Sequence, residues 1–154
     1  MAERVRIAGS KDSGEVAALL HRFNTEFDEF TPGAEILEPR VREHIDRDLS
    51  VFVLPGPHLT GVAQLRFRDY LFTGSLLCYL EELYVVPHRR REGHGRRMVE
   101  TALDIARQRG ATSMELSTAT NDHAARVLYD HLGFSNLEKE GDLDTTMLYY
   151  ERDL

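Results

Sequence analysis

Val85-Val86-Pro87-His88-Arg89-Arg90-Arg91-Glu92-Gly93-His94-Gly95-Arg96-Arg97 is the stretch that decides how this chain is read. The apolar run Leu76 to Val86 (LLCYLEELYVV) has the make-up of a strand and stops at Pro87. Five arginines and a histidine then crowd around two glycines between residues 89 and 97. From Gly93 to Arg109 the apolar residues Met98, Val99, Leu103 and Ala106 recur at helical spacing, and Gly110 follows. The local grammar is therefore strand, glycine turn, helix. Such a turn aims free backbone N–H groups at whatever lies above it, and the helix start adds partial positive charge, which together make an anion site. Gly93 and Gly95 allow close approach to the backbone and tolerate positive φ. Arg90, Arg91 and Arg96 would add charge-assisted contacts of the kind that phosphate accepts. The stretch is not a P-loop, because G-x-x-x-x-G-K-[S/T] is missing. Nor is it a dinucleotide fingerprint, because it follows a late strand and lacks a third glycine at the right spacing. A solvated basic helix start remains the competing reading.

Outward from this turn, the pattern is that of one mixed α/β domain. Arg4 to Ile7 alternates like a short strand, and Val16, Leu19, Leu20 and Phe23 have helical spacing after Ser10 and Asp12. A second helix is predicted over Pro39 to Asp48, with Pro39 near its first turn. Ser50 to Leu54 reads as a strand, and so does Thr60 to Tyr70, with Ala63, Leu65 and Phe67 on one face and Gln64, Arg66 and Arg68 on the other. Beyond the central helix follow a strand at Ser113 to Ser117, a helix at Asn121 to Leu132 ended by Gly133, and a strand at Thr145 to Tyr150. The order β-α-α-β-β-β-α-β-α-β places these around one sheet.

Composition narrows the class. With 154 residues and no repeat or Pro/Ser-rich linker, a single domain over 1–154 is expected. The net charge of −7 counts against nucleic-acid or membrane partners and gives the local basic cluster its weight. The single cysteine, Cys78, excludes an intrachain disulfide and fits a reducing cytoplasm. MAERVRIAGS has no apolar signal core, and no run approaches the ~18 apolar residues of a membrane span. The seven histidines show no metal-ligand spacing, so no metal is expected.

The segment Val85 to Arg96 resembles the acetyl-CoA signature of the GCN5-related N-acetyltransferase superfamily, V-x-P followed by [Q/R]-x-x-G-x-[G/A], with Arg90, Gly93 and Gly95 on its three defining positions. Ala125-Arg126-Val127-Leu128-Tyr129-Asp130-His131-Leu132-Gly133-Phe134 resembles the second signature, A-x-x-L-Y-x-x-x-G-F. The likeness in element order covers nearly the whole chain, and the motifs cover residues 80 to 134. The resemblance implies an acyl-CoA N-acyltransferase fold, a mixed, mostly antiparallel central sheet flanked by helices. It implies acetyl-CoA (coenzyme A) as cosubstrate, with the pyrophosphate over the amides of Arg91, Glu92, Gly93, His94, Gly95 and Arg96, and Arg89 and Arg97 at the ribose phosphate or in solvent. The pantetheine arm would lie along Leu83-Tyr84-Val85 like an added strand, with the Val85 N–H on the thioester oxygen.

On the same resemblance the reaction is direct acetyl transfer to a primary amine. Tyr129 matches the general acid, and Glu81 is the base, with Glu82 as the alternative; strand periodicity sends these two carboxylates to opposite faces. The family asparagine seven residues before the tyrosine falls on Asp122 here. Either Asn121 contacts the cofactor in its place, or Asn121 or Asp122 caps the helix. An acidic early segment, Glu26, Asp28, Glu29 and Glu35, would favour a cationic amine; the alternative is a solvated loop with Phe27 and Phe30 in the core. A homodimer is possible. The competing function is a degenerate acyl-CoA-binding module, and a nucleic-acid role for the arginines is disfavoured by the net acidity.

Overall fold

The computed structural model describes residues 4–136 and 150–154. They fall into two compact units, Met1–Ser117 and Thr118–Leu154. The strand expected at Thr145 to Tyr150 lies, but for Tyr150, outside the described residues.

The first unit is a five-stranded sheet in sequence order: β1 (Val5–Ile7), β2 (Val51–Pro55), β3 (Gly61–Tyr70), β4 (Ser75–Val85) and β5 (Ala111–Leu116). The first three pairings are antiparallel and β4–β5 is parallel, so the mixed, mostly antiparallel sheet is borne out. Strand alternation sorts the core. Phe52, Leu54, Val62 and Tyr84 pack with Val16, Ala17 and Leu19 of α1 (Ser13–Glu26) and Val41 of α2 (Ala34–Asp46). Val51, Val53, Ala63 and Leu65 point the other way and are buried, as is the stripe Met98, Val99, Ala102, Ile105 and Ala106 on α3 (His94–Gln108).

Two expectations are corrected. α2 starts at Ala34, not Pro39: Gly33, at φ 100°, caps it and accepts from the N–H groups of Ile36 and Leu37. Pro39 thus sits inside the helix and only forgoes its bond to the Glu35 carbonyl. Glu81 and Glu82 are not on opposite faces. The β3–β4 register pairs Gln64 with Glu82 but Leu65 with Leu80, so Glu81 is the extra residue of a β-bulge. The bulge resets the alternation and brings both carboxylates to the face that carries α1 and α2.

Asp12 fastens β1 to α1. Its carboxylate, buried, accepts two bonds from the Arg6 guanidinium at 2.8 and 3.0 Å and one from the Gly9 N–H at 2.8 Å. The Arg6 contact holds the Asp12 carboxyl below its ordinary range. A depressed carboxylate stabilises above its unfolded-state pKa and loses that contribution as pH falls through the folded one. Asp12→Asn is therefore expected to lose about 1–2 kcal/mol at pH 7. In urea denaturation as a function of pH, the gap from wild type should close as pH falls below the ordinary carboxylate range.

Candidate active site

The site begins where β4 outruns its neighbour. β5 pairs with β4 only from Leu76 to Leu80, opposite Ala111 to Leu116. Glu81 to Val85 continue alone on that side among the described residues. The Val86 N–H bonds to the Thr60 carbonyl at 2.8 Å, towards β3. Alternation then turns the N–H groups of Glu82 and Tyr84 to β3, and those of Leu83 and Val85 to the open edge. The Val85 carbonyl on that edge accepts from Arg90 Nε at 2.9 Å.

Gly61 fixes how closely β3 and α3 meet here. It pairs with Val85, and a Cβ on it would lie 2.5 Å from the Tyr84 carbonyl oxygen and 3.0 Å from the Met98 methyl. Sequence reading missed this residue, because a glycine at a strand start looks like part of a turn.

Pro87 starts one 3-10 turn, and the chain then passes through left-handed backbone at Arg91 (φ 66°) and Gly93 (φ 81°) before α3 begins. A non-glycine residue in that region costs roughly 1–2 kcal/mol, so Arg91 is strained where Gly93 is not. The first bond of α3 runs from the Arg97 N–H to the Gly93 carbonyl at 3.1 Å. The N–H groups of His94, Gly95 and Arg96 are thus left over by the helix. No described backbone carbonyl takes those of Arg91, Glu92 or Gly93. Six successive amides with a helix N-terminus behind them form an anion cradle.

The arginines around the cradle divide by role. Arg90 turns back: besides the Val85 carbonyl it binds Glu26 at 2.5 Å and lies 5.8 Å over the Tyr84 ring, which stacks on Phe23. Its side chain thus braces the strand end against α1. Arg89 binds Glu92 at 2.7 Å, and Arg97 binds the Glu92 carbonyl at 3.2 Å and His94 Nδ1 at 3.1 Å. Neither is a free solvent arginine. His94 Nδ1 lies 3.1 Å from the Arg97 guanidinium, and its Nε2 lies 3.2 Å from the Arg89 guanidinium and 3.0 Å from the Glu92 carboxylate. His94 is buried, and these contacts on both ring nitrogens make it a strut under the loop. Arg89 first, then His94, hold the Glu92 carboxyl below its ordinary range. Arg91 and Arg96 remain at the exposed rim; Arg96 Nε pairs with Glu100 at 3.0 Å.

Glu81 is exposed and Glu82 half-buried. Burial, with a smaller push from Glu81, raises the Glu82 carboxyl. Phe27 and Phe30 are 53% and 83% exposed, so they do not anchor the early loop in the core. Cys78 is buried and its thiol is pushed up to about 11, the state of a packing residue rather than a nucleophile.

The second unit holds α4 (His123–His131). Asp122 caps it, accepting from the Ala125 N–H at 3.1 Å, while Asn121 is exposed just outside. The helix closes on Gly133 (φ 85°): the Gly133 N–H bonds Asp130 and the Phe134 N–H bonds the Tyr129 carbonyl, a Schellman motif. The Phe134 ring meets Tyr129 edge-on at 5.6 Å. That closure is the physical content of the Tyr-x-x-x-Gly-Phe pattern. Burial, then Asp122, pushes the Tyr129 phenol up to about 12.

A family model described as "Acetyltransferase (GNAT) family" matches residues 16–134. This chain belongs to the GNAT acetyltransferase family. It is 27% identical over 149 residues to the uncharacterized N-acetyltransferase YhfO of Bacillus subtilis (strain 168), covering 95% of this chain and 94% of that one. To the thialysine N-epsilon-acetyltransferase of Mus musculus it is 25% identical over 151 residues, covering 90% and 88%. A crystal structure from Arthrobacter sp. FB24 that carries an acetyltransferase name superposes with a TM-score of 0.87 at 36% identity, covering 99% of this chain and 96% of that one.

The two glycines of this GNAT site should fail for different reasons. Gly61→Ala forces backbone apart and is expected to cost about 1–3 kcal/mol, as core overpacking does. Gly93→Ala meets a side chain, the Arg97 guanidinium at 3.0 Å, and not backbone, so most of its cost of about 1–2 kcal/mol comes from positive φ. Urea denaturation of both variants measures this.

Proposed function

We propose that this chain is an acetyl-CoA-dependent N-acetyltransferase that transfers the acetyl group directly to a primary amine, the pairing general to the GNAT family. The observation that carries the reading is the open β4 edge running into six free amides. An extended arm can hydrogen-bond to Leu83 and Val85, and a pyrophosphate can then meet the N–H groups of Arg91 to Arg96. The acidic residue at Glu92 does not spoil an anion site, because Arg89 and His94 hold its carboxylate. The thioester is chemistry that acetyl-CoA supplies; the chain positions and protonates.

Each residue has a task on this reading. The Val85 N–H donates to the carbonyl oxygen as it gains charge. Glu81, at the exposed side of the bulge, takes the proton that the acceptor ammonium must lose, since an alkyl amine has a pKa of about 10. Glu82 sits behind it, and its raised affinity for protons makes it the next stop. Tyr129 enters through the motif it stands in. A phenol pushed up to about 12 keeps its proton at neutral pH until the sulfur gains charge. Tyr129 hydrogen-bonds the leaving sulfur and gives it the proton as the C–S bond breaks.

Acetyl-CoA should raise the unfolding temperature of the wild type, and Arg91→Glu/Gly93→Glu should remove the shift. In a thiol-release assay Glu81→Gln is expected to lower kcat/KM by about 10²–10³. Glu82→Gln should lower it by less than about 10-fold and flatten the pH profile. Glu82 is a raised carboxyl, so its contribution to stability is present below its unfolded-state pKa and lost as pH rises; Glu82→Gln should therefore gain on the wild type in stability above about pH 5. A folded protein with no acetyl-CoA shift at saturation would end this reading.

A further inference from the structure

A cavity of about 400 Å³ opens on the first unit, lined by Arg66, Phe67, Arg68, Tyr79, Glu81 and Glu115. Strand register explains its walls. Arg66 pairs with Tyr79 across β3–β4, and Tyr79 with Glu115 across β4–β5, which sets three side chains in a row over three strands. Glu81 stands two residues further along β4, roughly 6.5 Å towards the open edge. The residue proposed as base thus shares one cavity with two guanidinium groups.

Those two guanidiniums are held loosely. Five exposed arginines elsewhere, Arg42, Arg47, Arg96, Arg107 and Arg109, close on carboxylates at 2.6–3.3 Å. Arg68 reaches only 3.9 Å from Glu115, and Arg66 forms no ion pair among the described residues. An acceptor seated in this cavity meets both guanidiniums beside Glu81.

We infer that the acceptor amine also carries a carboxylate, so that it is an amino-acid-type zwitterion. This rests on the acetyl-transfer reading above and names its substrate class. The amine goes to Glu81, and the carboxylate is received by Arg66 and Arg68, whose planar donors match two oxygens at once. Among the described residues two arginines and two glutamates line the cavity, a balance that complements a zwitterion and not a polyamine.

The test compares amines that differ by the carboxylate alone: L-lysine against cadaverine and L-ornithine against putrescine, assayed by thiol release at saturating acetyl-CoA. The carboxylated member should have the higher kcat/KM by about 10-fold or more, the weight of a charge-assisted hydrogen bond. The ratio should fall towards one in Arg66→Gln and in Arg66→Gln/Arg68→Gln, through the acceptor KM, while the thermal shift with acetyl-CoA persists as proof of folding. Turnover of the diamines as good as or better than that of the amino acids overturns the inference and leaves the acetyltransferase reading intact. Acetyl-CoA binding with no turnover of any of the four also overturns it. A wild type that neither binds acetyl-CoA nor releases thiol removes the acetyl-transfer reading, and this inference falls with it.

Discussion

The parting of β4 from β5 after Leu80 is the constraint on which the candidate site depends. Backbone N–H and C=O groups inside a sheet need partners, and a strand that outruns its neighbour leaves a row of them open. The bulge at Glu81 marks the place. It keeps β4 paired to β3 through Val85 while turning two carboxylates to one face. Gly61 allows β3, β4 and α3 to meet without a side chain between them. Arg90 ties the strand end to α1 through Glu26. Each of these features steadies an edge that the sheet itself does not complete.

The cradle beyond the edge is held from beneath rather than from above. Arg97, His94, Glu92 and Arg89 form a chain of polar contacts around the buried His94 imidazole. The arginines that looked most like phosphate ligands therefore divide into struts and rim. Arg89, Arg90 and Arg97 shape the loop, so on the proposed reading the amides and the helix terminus carry most of the anion affinity, with Arg91 and Arg96 left to add charge. Backbone amides set at fixed positions can hold an anion without ordering long side chains first, which limits the entropy that binding costs.

Much of this was legible in the sequence. The glycine turn, the helix after it and the strand before it stand where the V-x-P and G-x-G pattern put them, because proline and glycine act locally and independently of context. The single sheet followed from element order, and its mixed, mostly antiparallel pairing from the family resemblance. The α2 boundary was misread because Pro39 looks like a helix start, while the actual start rests on Gly33 in a conformation that a single glycine does not announce. The relation of Glu81 to Glu82 was misread because period-two alternation assumes an unbroken strand, and a bulge leaves no fixed residue signature. The roles of Arg89, Arg90 and Arg97 were out of reach for a different reason. Their partners include Glu26, 64 residues away, and a backbone carbonyl, and no local pattern encodes either.

The central claim is that the unpaired amides of Leu83 and Val85 receive an extended arm. The most direct measurement is residue-resolved amide hydrogen exchange with and without acetyl-CoA. The account expects exchange at Leu83, Val85 and Arg91 to Arg96 to slow on addition, while Glu82 and Tyr84, already turned to β3, change little. Slowed exchange confined to other parts of the chain, with Leu83 and Val85 unaltered, would contradict it.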